Sequence, residues 1–317
     1  MMRRYIFRRL LISIPVFFGI TIFSFLIMNM APGNPVDMLI NPNIPKEMLE
    51  IRKEMLGLND PLYVQYVKWL SGLLKGELGY SYSSFASVSQ MIGERIGPTL
   101  LLASTSLVLG VLLAIPIGVI SAIKQNATLD YVLTGLAFLG TSIPPFFLGL
   151  GFIYIVGIQL GWLPTGGMTT LGGTGGIGDI LVHLILPALV LGIAIAGKKV
   201  RYVRASMLEV LQQDYLRTAR AKGISELVVL HKHALRNALI PIITIVGTEI
   251  PLLLGGSIII EQIFQWPGIG QLTMEALLSR DYPTLMGLNI VAACIVLSTN
   301  LVMDILYAIV DPRMKYS

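Results

Sequence analysis

Residues 10–30 read LLISIPVFFGITIFSFLIMNM, a run of 21 residues without a charged side chain. A helix that crosses about 30 Å of hydrocarbon needs roughly 20 apolar residues, so this run can span a membrane. Four arginines precede it, as in a secretory signal peptide, but the hydrophobic core of such a peptide is usually only about 7–15 residues long. We therefore predict that residues 10–30 form a retained first transmembrane helix.

Five further apolar runs follow along the chain. They cover residues 99–123, 133–157, 180–197, 239–260 and 285–310, and among Asp, Glu, Lys and Arg only Glu249 and Asp304 fall inside them. Prolines also lie within most of the runs, which is typical of kinked helices whose freed backbone groups are satisfied by neighbouring helices. The pattern predicts an all-α integral membrane protein with six transmembrane helices.

The composition excludes most other classes. Charged residues make up 13% of the 317 residues, against about 25% in ordinary soluble domains, and the mean hydropathy is +0.75. With one cysteine, Cys294, and three histidines, neither a disulfide scaffold nor a multi-histidine metal site is expected. The net charge of +5 comes from basic residues placed between apolar runs, so we expect lipid rather than nucleic acid as the surrounding partner.

The distribution of basic residues predicts the orientation. If the N-terminus is cytoplasmic, 16 of the 23 lysines and arginines fall in inner segments, as the positive-inside rule requires. Both termini are then cytoplasmic. We divide the chain into an N-terminal arm with the first transmembrane helix (1–30), an extracellular or periplasmic loop with short surface helices (31–95), and a five-helix core (96–317) that carries a cytoplasmic loop at residues 205–240.

The long outer loop contains two predicted surface helices. Residues 45–56 begin near a proline and stop at Gly57, and residues 61–74 carry Tyr63, Tyr66 and Trp69, aromatic residues of the kind that lie at the level of lipid headgroups. Two interpretations stay open: a lid of surface helices, and a docking site for an external partner.

No catalytic machinery is evident. Residues 192–199 (GIAIAGKK) nearly match a phosphate-binding loop, but a lysine stands where the magnesium-binding Ser or Thr is required. No nucleophile with a base and an orienting acid stands out, so we predict no catalytic residue and no metal site. Glu249 is ionisable and deep in an apolar run, where such a group faces a cavity or a partner. It either lines a translocation path or its gate, or it forms hydrogen bonds between helices.

The cytoplasmic loop has the pattern of two short helices joined by a turn. Residues 207–222 are predicted to form an amphipathic helix with Leu208, Leu211 and Tyr215 on one face. Gly223 is suited to the left-handed conformation that ends a helix, with Ile224 packing back on the last turn. Ser225 and Glu226 can then begin a second helix.

The end of the first helix has the features of a docking surface. Ala219 and Ala221 are small enough to let another protein approach the backbone, and Arg217, Arg220 and Lys222 surround them with positive charge. A passive solvated loop needs neither the small residues nor the apolar stripe. We therefore favour a docking element over a passive loop.

These residues also carry a family resemblance. Residues 214–223 (DYLRTARAKG) and 233–241 (HALRNALIP) resemble the cytoplasmic EAA loop of binding-protein-dependent ABC importer permeases, and more closely the inner-membrane subunits of the dipeptide/oligopeptide/nickel branch. Residues 263–270 (IFQWPGIG) and 280–283 (RDYP) agree. Arg217 and Thr218 depart from the Glu and Ala of the general motif, and Arg236 replaces its proline; these departures fit the peptide branch.

The resemblance implies a type I (MetI-like) importer fold in a prokaryotic inner membrane. It also implies a second homologous permease subunit, two cytoplasmic ATPase subunits that hold ATP and Mg, and an extracellular solute-binding protein, with no cofactor bound by this chain. The residues that couple to the ATPases would be Asp214, Tyr215, Arg217, Thr218, Ala219, Arg220, Ala221, Lys222 and Gly223.

The implied activity is import of di- or oligopeptides by alternating access. Nickel or another small solute is the alternative within the branch. From the residues alone, a secondary transporter with Glu249 as a proton or sodium site also remains open.

Overall fold

The computed structural model describes residues 2–30, 54, 57, 59–173, 175–239 and 249–310. Within these ranges the chain forms helices, turns and one isolated antiparallel bridge between Tyr80 and Ser87. The helices are α1 (Met2–Met30), α2 (Leu62–Leu74), α3 (Val88–Ile123), α4 (Thr128–Ser142), α5 (Pro145–Phe152), α6 (Ile177–Leu211), α7 (Asp214–Ala221), α8 (Glu226–Val228), α9 (Glu249–Ile263), α10 (Ile269–Leu278) and α11 (Tyr282–Val310). Two π-helical stretches, Ile153–Gln159 and Val229–Leu235, extend α5 and α8.

Four helices in the described ranges are long and apolar enough to cross a membrane. They are Ile6–Met30, Val88–Ile123, Ile177–Leu211 and Tyr282–Ile305. Each contains or largely overlaps a predicted span. The predicted span 239–260 lies partly outside the described residues, and α9 begins at Glu249. The predicted helix at 45–56 lies almost wholly outside them, whereas the one at 61–74 is confirmed as α2.

The predicted continuous span at 133–157 is wrong. The chain there forms two helices, Thr128–Ser142 and Pro145–Gln159, with an angle of 97° between them. Ile143 and Pro144 adopt ψ values of 122° and 134° instead of helical ones. Each of these residues precedes a proline, and the ring of a proline disfavours the helical conformation of the residue before it. Two consecutive prolines therefore break the helix.

Backbone contacts divide the chain into two compact units. The first comprises the described residues up to Gly97 together with Gln271–Leu301. In it, α2 packs on α1: Tyr66 and Trp69 contact the Phe25 ring, and the Tyr66 hydroxyl lies 2.9 Å from Thr21 Oγ1. Two of the three predicted headgroup-level aromatics thus pack against α1, while Tyr63 is exposed.

A turn of the same unit is organised around Asp281. This buried carboxylate accepts hydrogen bonds from the hydroxyls of Ser81, Ser83 and Thr284 and from the backbone N–H of Tyr82. Burial of the Tyr82 hydroxyl and the nearby negative charge of Asp281 both raise the pKa of Tyr82.

The second unit comprises Pro98–Gly270 with the described residues from Val302 onward. Its central element is α6, which packs against α3 and α4 at glycines. A Cβ atom added to Gly110 would lie 2.7 Å from the Ile195 side chain, and one added to Gly118 would lie 2.6 Å from Val203. A Cβ on Gly197 would lie 2.7 Å from the carbonyl oxygen of Ala137. Small residues let membrane helices approach closely and gain van der Waals contact.

The apolar core of this unit surrounds the N-terminal half of α6. Trp266 and Phe264 are almost fully buried in it, and Trp266 Nε1 donates a hydrogen bond to the carbonyl oxygen of Pro98 at 2.9 Å. Glu261 accepts hydrogen bonds from Thr99 Oγ1 at 2.9 Å and from the backbone N–H of Gly270 at 2.7 Å. The cluster of buried apolar residues is Leu102, Leu184, Leu186, Ala188, Val190, Leu191, Ile260, Phe264 and Trp266.

The glycine contacts predict opposite effects of the same substitution at two sites. Gly118→Ala forces its new methyl group against Val203, and overpacking of this kind costs about 1–3 kcal/mol. Gly135→Ala meets no atom within 4 Å, and alanine is favoured over glycine inside a helix by about 1 kcal/mol. Thermal unfolding of the purified chain in detergent should give a lower midpoint for Gly118→Ala and an unchanged or higher one for Gly135→Ala. Equal midpoints for the two variants would contradict close α3–α6 packing.

Candidate functional site

The candidate site is the elbow that follows α6, which we define as residues 212–239. It follows directly from α6, whose 35 residues exceed the roughly 20 needed to cross hydrocarbon. The predicted helix 207–222 is wrong in its boundaries, because Met207 belongs to α6 and a new helix, α7, begins at Asp214. Gln213 between them is extended, with ψ at 140°.

The break between α6 and α7 has a packing reason. Met207 and Leu216 are both fully buried in one apolar cluster. On a continuous helix, nine residues at about 100° each would place these two side chains on opposite faces. Because the chain breaks at residues 212–213, both can enter the same cluster, whose other buried members are Ala122, Ala219, Val229, Ala234 and Ala238.

The predicted helix stop at Gly223 is confirmed. Gly223 has a φ of +76°, and its N–H donates to the carbonyl oxygen of Arg220 at 2.9 Å. Ile224 donates to the carbonyl oxygen of Ala219 at 3.4 Å and packs against the buried cluster, as expected. A side chain with a Cβ is strained at this φ, so the sharp turn depends on glycine.

The outward face of the elbow differs from the predicted one. Ala219 is buried in the elbow's own cluster and leaves no opening for another protein. Tyr215, predicted on the apolar face with Leu208 and Leu211, is exposed, and its hydroxyl accepts a hydrogen bond from Asn237 Nδ2 at 3.0 Å. The remaining predicted site residues are exposed together with it: Asp214, Arg217, Thr218, Arg220, Ala221, Lys222 and Gly223.

An ion pair ties the two sides of the turn together. Arg220 Nε and Nη2 donate to the carboxylate of Glu226 at 3.1 and 2.9 Å. These hydrogen bonds lower the pKa of Glu226 and raise the pKa of Arg220. Ser225 precedes α8 as predicted but makes no capping hydrogen bond with its side chain. Since Glu226 neutralises Arg220, the exposed positive charge of this part of the elbow comes from Arg217 in α7 and from Lys222 directly after it.

Glu249 is not part of the elbow but faces α6. Its Oε1 atom accepts a hydrogen bond from Lys199 Nζ at 2.7 Å, and the two side chains are only 12% and 4% exposed. The structure therefore brings Glu249 to a lysine that the sequence did not identify as its partner. The pair joins α6 to α9, the two helices that flank the elbow along the chain.

A second ion pair, between α4 and α6, was not predicted from the sequence either. Asp130, at the start of α4, is buried and forms two hydrogen bonds with Arg204 on α6. The only signal in the sequence is an isolated acidic residue at the start of an apolar run, and nothing in its spacing identifies the arginine partner. In the residues that the structure describes, no group of three or more His, Cys, Asp or Glu side chains could hold a metal ion.

Comparison with known families gives matches along nearly the whole chain. Residues 114–316 match the family described as binding-protein-dependent transport system inner membrane component, and residues 2–103 match its N-terminal counterpart.

Two relatives show the extent of similarity. The oligopeptide transport system permease protein AppB of Bacillus subtilis (strain 168) is 48% identical over 316 residues, which cover 99% of this chain and 100% of the relative. The glutathione transport system permease protein GsiC of Escherichia coli (strain K12) is 39% identical over 315 residues, with coverages of 99% and 100%.

A solved structure shares the fold. An inward-facing structure of the methionine ABC transporter MetNI superposes with a TM-score of 0.57 at 19% identity and covers 70% of this chain and 97% of that chain. At this identity the match supports the fold alone. The MetI-like expectation for the fold is thereby confirmed.

The buried pair of Lys199 and Glu249 predicts a stability effect that depends on charge. Glu249→Gln removes the negative charge opposite Lys199, and breaking a buried ion pair costs about 3–5 kcal/mol. We expect a clear fall in the thermal midpoint in detergent, and partial recovery in the double variant Lys199→Met/Glu249→Met, which removes both charges. A single variant as stable as the wild type would show that the pair does not hold α6 to α9.

Proposed function

Because the chain belongs to the family of inner-membrane components of binding-protein-dependent transport systems, we propose that it is the permease subunit of an ABC importer for peptides. The observation that carries this proposal is the end-to-end similarity to permeases named for oligopeptide and glutathione transport, since glutathione is itself a short peptide. Nickel or another small solute is the alternative. Membership of this family excludes the alternative of a secondary transporter driven by an ion gradient.

We propose six crossings with both termini in the cytoplasm. Four long apolar helices and the bent pair of α4 and α5 account for five of them. The apolar run at residues 239–260, of which α9 forms the described part, supplies the sixth. The excess of Lys and Arg in the segments assigned to the inside supports this orientation.

The elbow is proposed as the contact with one of two ATPase subunits, which would bind ATP and Mg while this chain contributes no ATPase site. Its exposed face combines an aromatic ring, Tyr215, with the small Ala221 and the cations Arg217 and Lys222. Tyrosine and arginine are enriched among the residues that contribute most to binding at protein interfaces. A second homologous permease and a solute-binding protein would complete the assembly.

Motion of the elbow is transmitted by its packing on the transmembrane helices. Met207 on α6 lies in the same buried cluster as Leu216 and Ala219 on α7, and Ser206 Oγ donates to the carbonyl oxygen of Ala238 at 3.0 Å. Both ends of the elbow are thus attached to α6. Closure of the ATPases on ATP would displace α7, and these contacts would carry the displacement to α6.

Glu249 is proposed to lie at a gate of the translocation path. With Lys199 it forms a buried ionic link between α6 and α9. Charged residues inside membrane spans commonly mark substrate paths, because the cost of burying them is otherwise avoided. A change in the relative position of the two helices would break or re-form this link.

The proposal predicts coupled transport that depends on Gly223. In proteoliposomes that contain the complete complex, the wild type should take up a labelled peptide only with ATP and the binding protein. Gly223→Val places a β-branched residue at a φ of +76°, which costs about 1–3 kcal/mol and should lower uptake about fivefold or more.

The matched control is Gly223→Asn, because asparagine tolerates the left-handed conformation better than other residues. It should retain most of the uptake, and both variants should assemble with the ATPases. Normal uptake by Gly223→Val would contradict the role of the elbow. Uptake of labelled Ni²⁺ but of no peptide would select the alternative solute.

A further inference from the structure

Asp130 is the centre of a buried hydrogen-bonding network at the cytoplasmic side of the second unit. Arg204 donates to it through two parallel bonds, Nε to Oδ1 at 2.9 Å and Nη2 to Oδ2 at 2.7 Å. The Asn126 backbone N–H donates to Oδ2 at 3.1 Å, and the Ser121 and Thr134 hydroxyls donate to Oδ1. Asp130 is 2% exposed. Its carboxylate is therefore enclosed by donors from several elements.

The network joins three transmembrane helices and a turn at one point. Ser121 lies near the end of α3, Asn126 lies in the turn with a φ of +64°, and Asp130 and Thr134 lie in α4. Arg204 belongs to α6. The planar guanidinium group matches the carboxylate at two points, so it fixes the relative rotation of α4 and α6 as well as the distance between them.

The position of Arg204 relates this network to the elbow. At 1.5 Å per residue, Arg204 lies about 10 Å along α6 from its last residue, Leu211. Met207, less than one turn beyond Arg204, packs in the elbow's buried cluster, and Ala122, the residue after Ser121, packs in the same cluster. A displacement of α7 therefore reaches α6 and α3 next to this network.

Farther into the membrane the same helices are in close contact. Gly110 and Gly118 of α3 and Gly197 of α6 leave no room for a Cβ atom against the facing helix. Interfaces packed this closely shift between discrete arrangements and do not deform gradually. α6 also contacts α9, through the hydrogen bond from Lys199 to Glu249 and through Ile260 in the buried apolar cluster.

We infer that Asp130 and Arg204 are positioning residues for coupling: they hold α3, α4 and α6 together as one body that moves with the elbow. This inference rests on the proposed function. Without the bidentate pair, the cytoplasmic end of α6 can move while α3 and α4 stay in place. ATP hydrolysis in the partner subunits then continues. Less of the elbow's displacement is transmitted to the helices that line the translocation path.

The test is the number of ATP molecules hydrolysed per peptide taken up by the complete complex in proteoliposomes. Asp130→Asn keeps the shape of the side chain and removes its charge. We expect this ratio to rise about fivefold or more, which corresponds to the loss of a typical coupling free energy. Arg204→Lys keeps the positive charge but cannot form two parallel bonds, so the ratio should rise by less and in the same direction.

The control is Lys68→Gln, which breaks an ion pair between Lys68 and Asp60 in the first unit, with both partners partly or largely exposed. Such surface pairs contribute little, and the ratio should stay at the wild-type value. If Asp130→Asn fails to assemble, Arg204→Lys decides the question.

The inference would be overturned by assembled variants in which uptake and hydrolysis fall in proportion, so that the number of ATP molecules hydrolysed per peptide is unchanged. That result would leave the proposed function intact. A wild-type complex without ATP-dependent peptide uptake would overturn both.

Discussion

Hydrocarbon does not solvate charges or backbone polar groups, and this constraint determines how the second unit is built. Its buried charges are met by partners within the chain: Lys199 by Glu249, and Asp130 by Arg204 with three further donors. Helices that gain little from excluding water must instead approach closely, which explains the glycines between α3, α4 and α6. The result is a set of specific contacts in place of an adaptable apolar interface.

The helix α6 connects these contacts to the elbow. It runs as one helix from Ile177 to Leu211. The extended residue Gln213 then separates it from α7, which begins at Asp214. Both ion pairs and the buried cluster of the elbow include residues of this one helix. A force on the exposed face of α7 therefore acts on α6 first, and the ion pairs determine which other helices follow. In this account the fold turns a contact outside the membrane into a change of helix positions inside it.

The sequence predicts the long elements of this structure well and their connections less well. The apolar runs predict the spans because length and hydropathy alone decide whether a helix can cross hydrocarbon. Gly223 predicts the turn because few other residues adopt its φ without strain. The break at residues 212–213 was not predicted, because it allows a tertiary contact: Met207 and Leu216 are buried in the same cluster. Helix periodicity in the sequence carries no information about such a contact. The 97° bend could have been predicted, since Pro144 and Pro145 each disfavour a helical residue before them. The ion pairs could not, because Asp130 and Arg204 are 74 residues apart in the chain.

The central claim is that α7 is held by a partner ATPase through its exposed face and by its own chain through its buried face. In a Cys294→Ala background, cysteines placed at the exposed Ala221 and the buried Ala219 test it directly by crosslinking in the complete complex. The account predicts that Ala221→Cys crosslinks to an ATPase subunit both with and without ATP, and that Ala219→Cys does not. An Ala221→Cys variant that never crosslinks to an ATPase subunit in an assembled complex would contradict it.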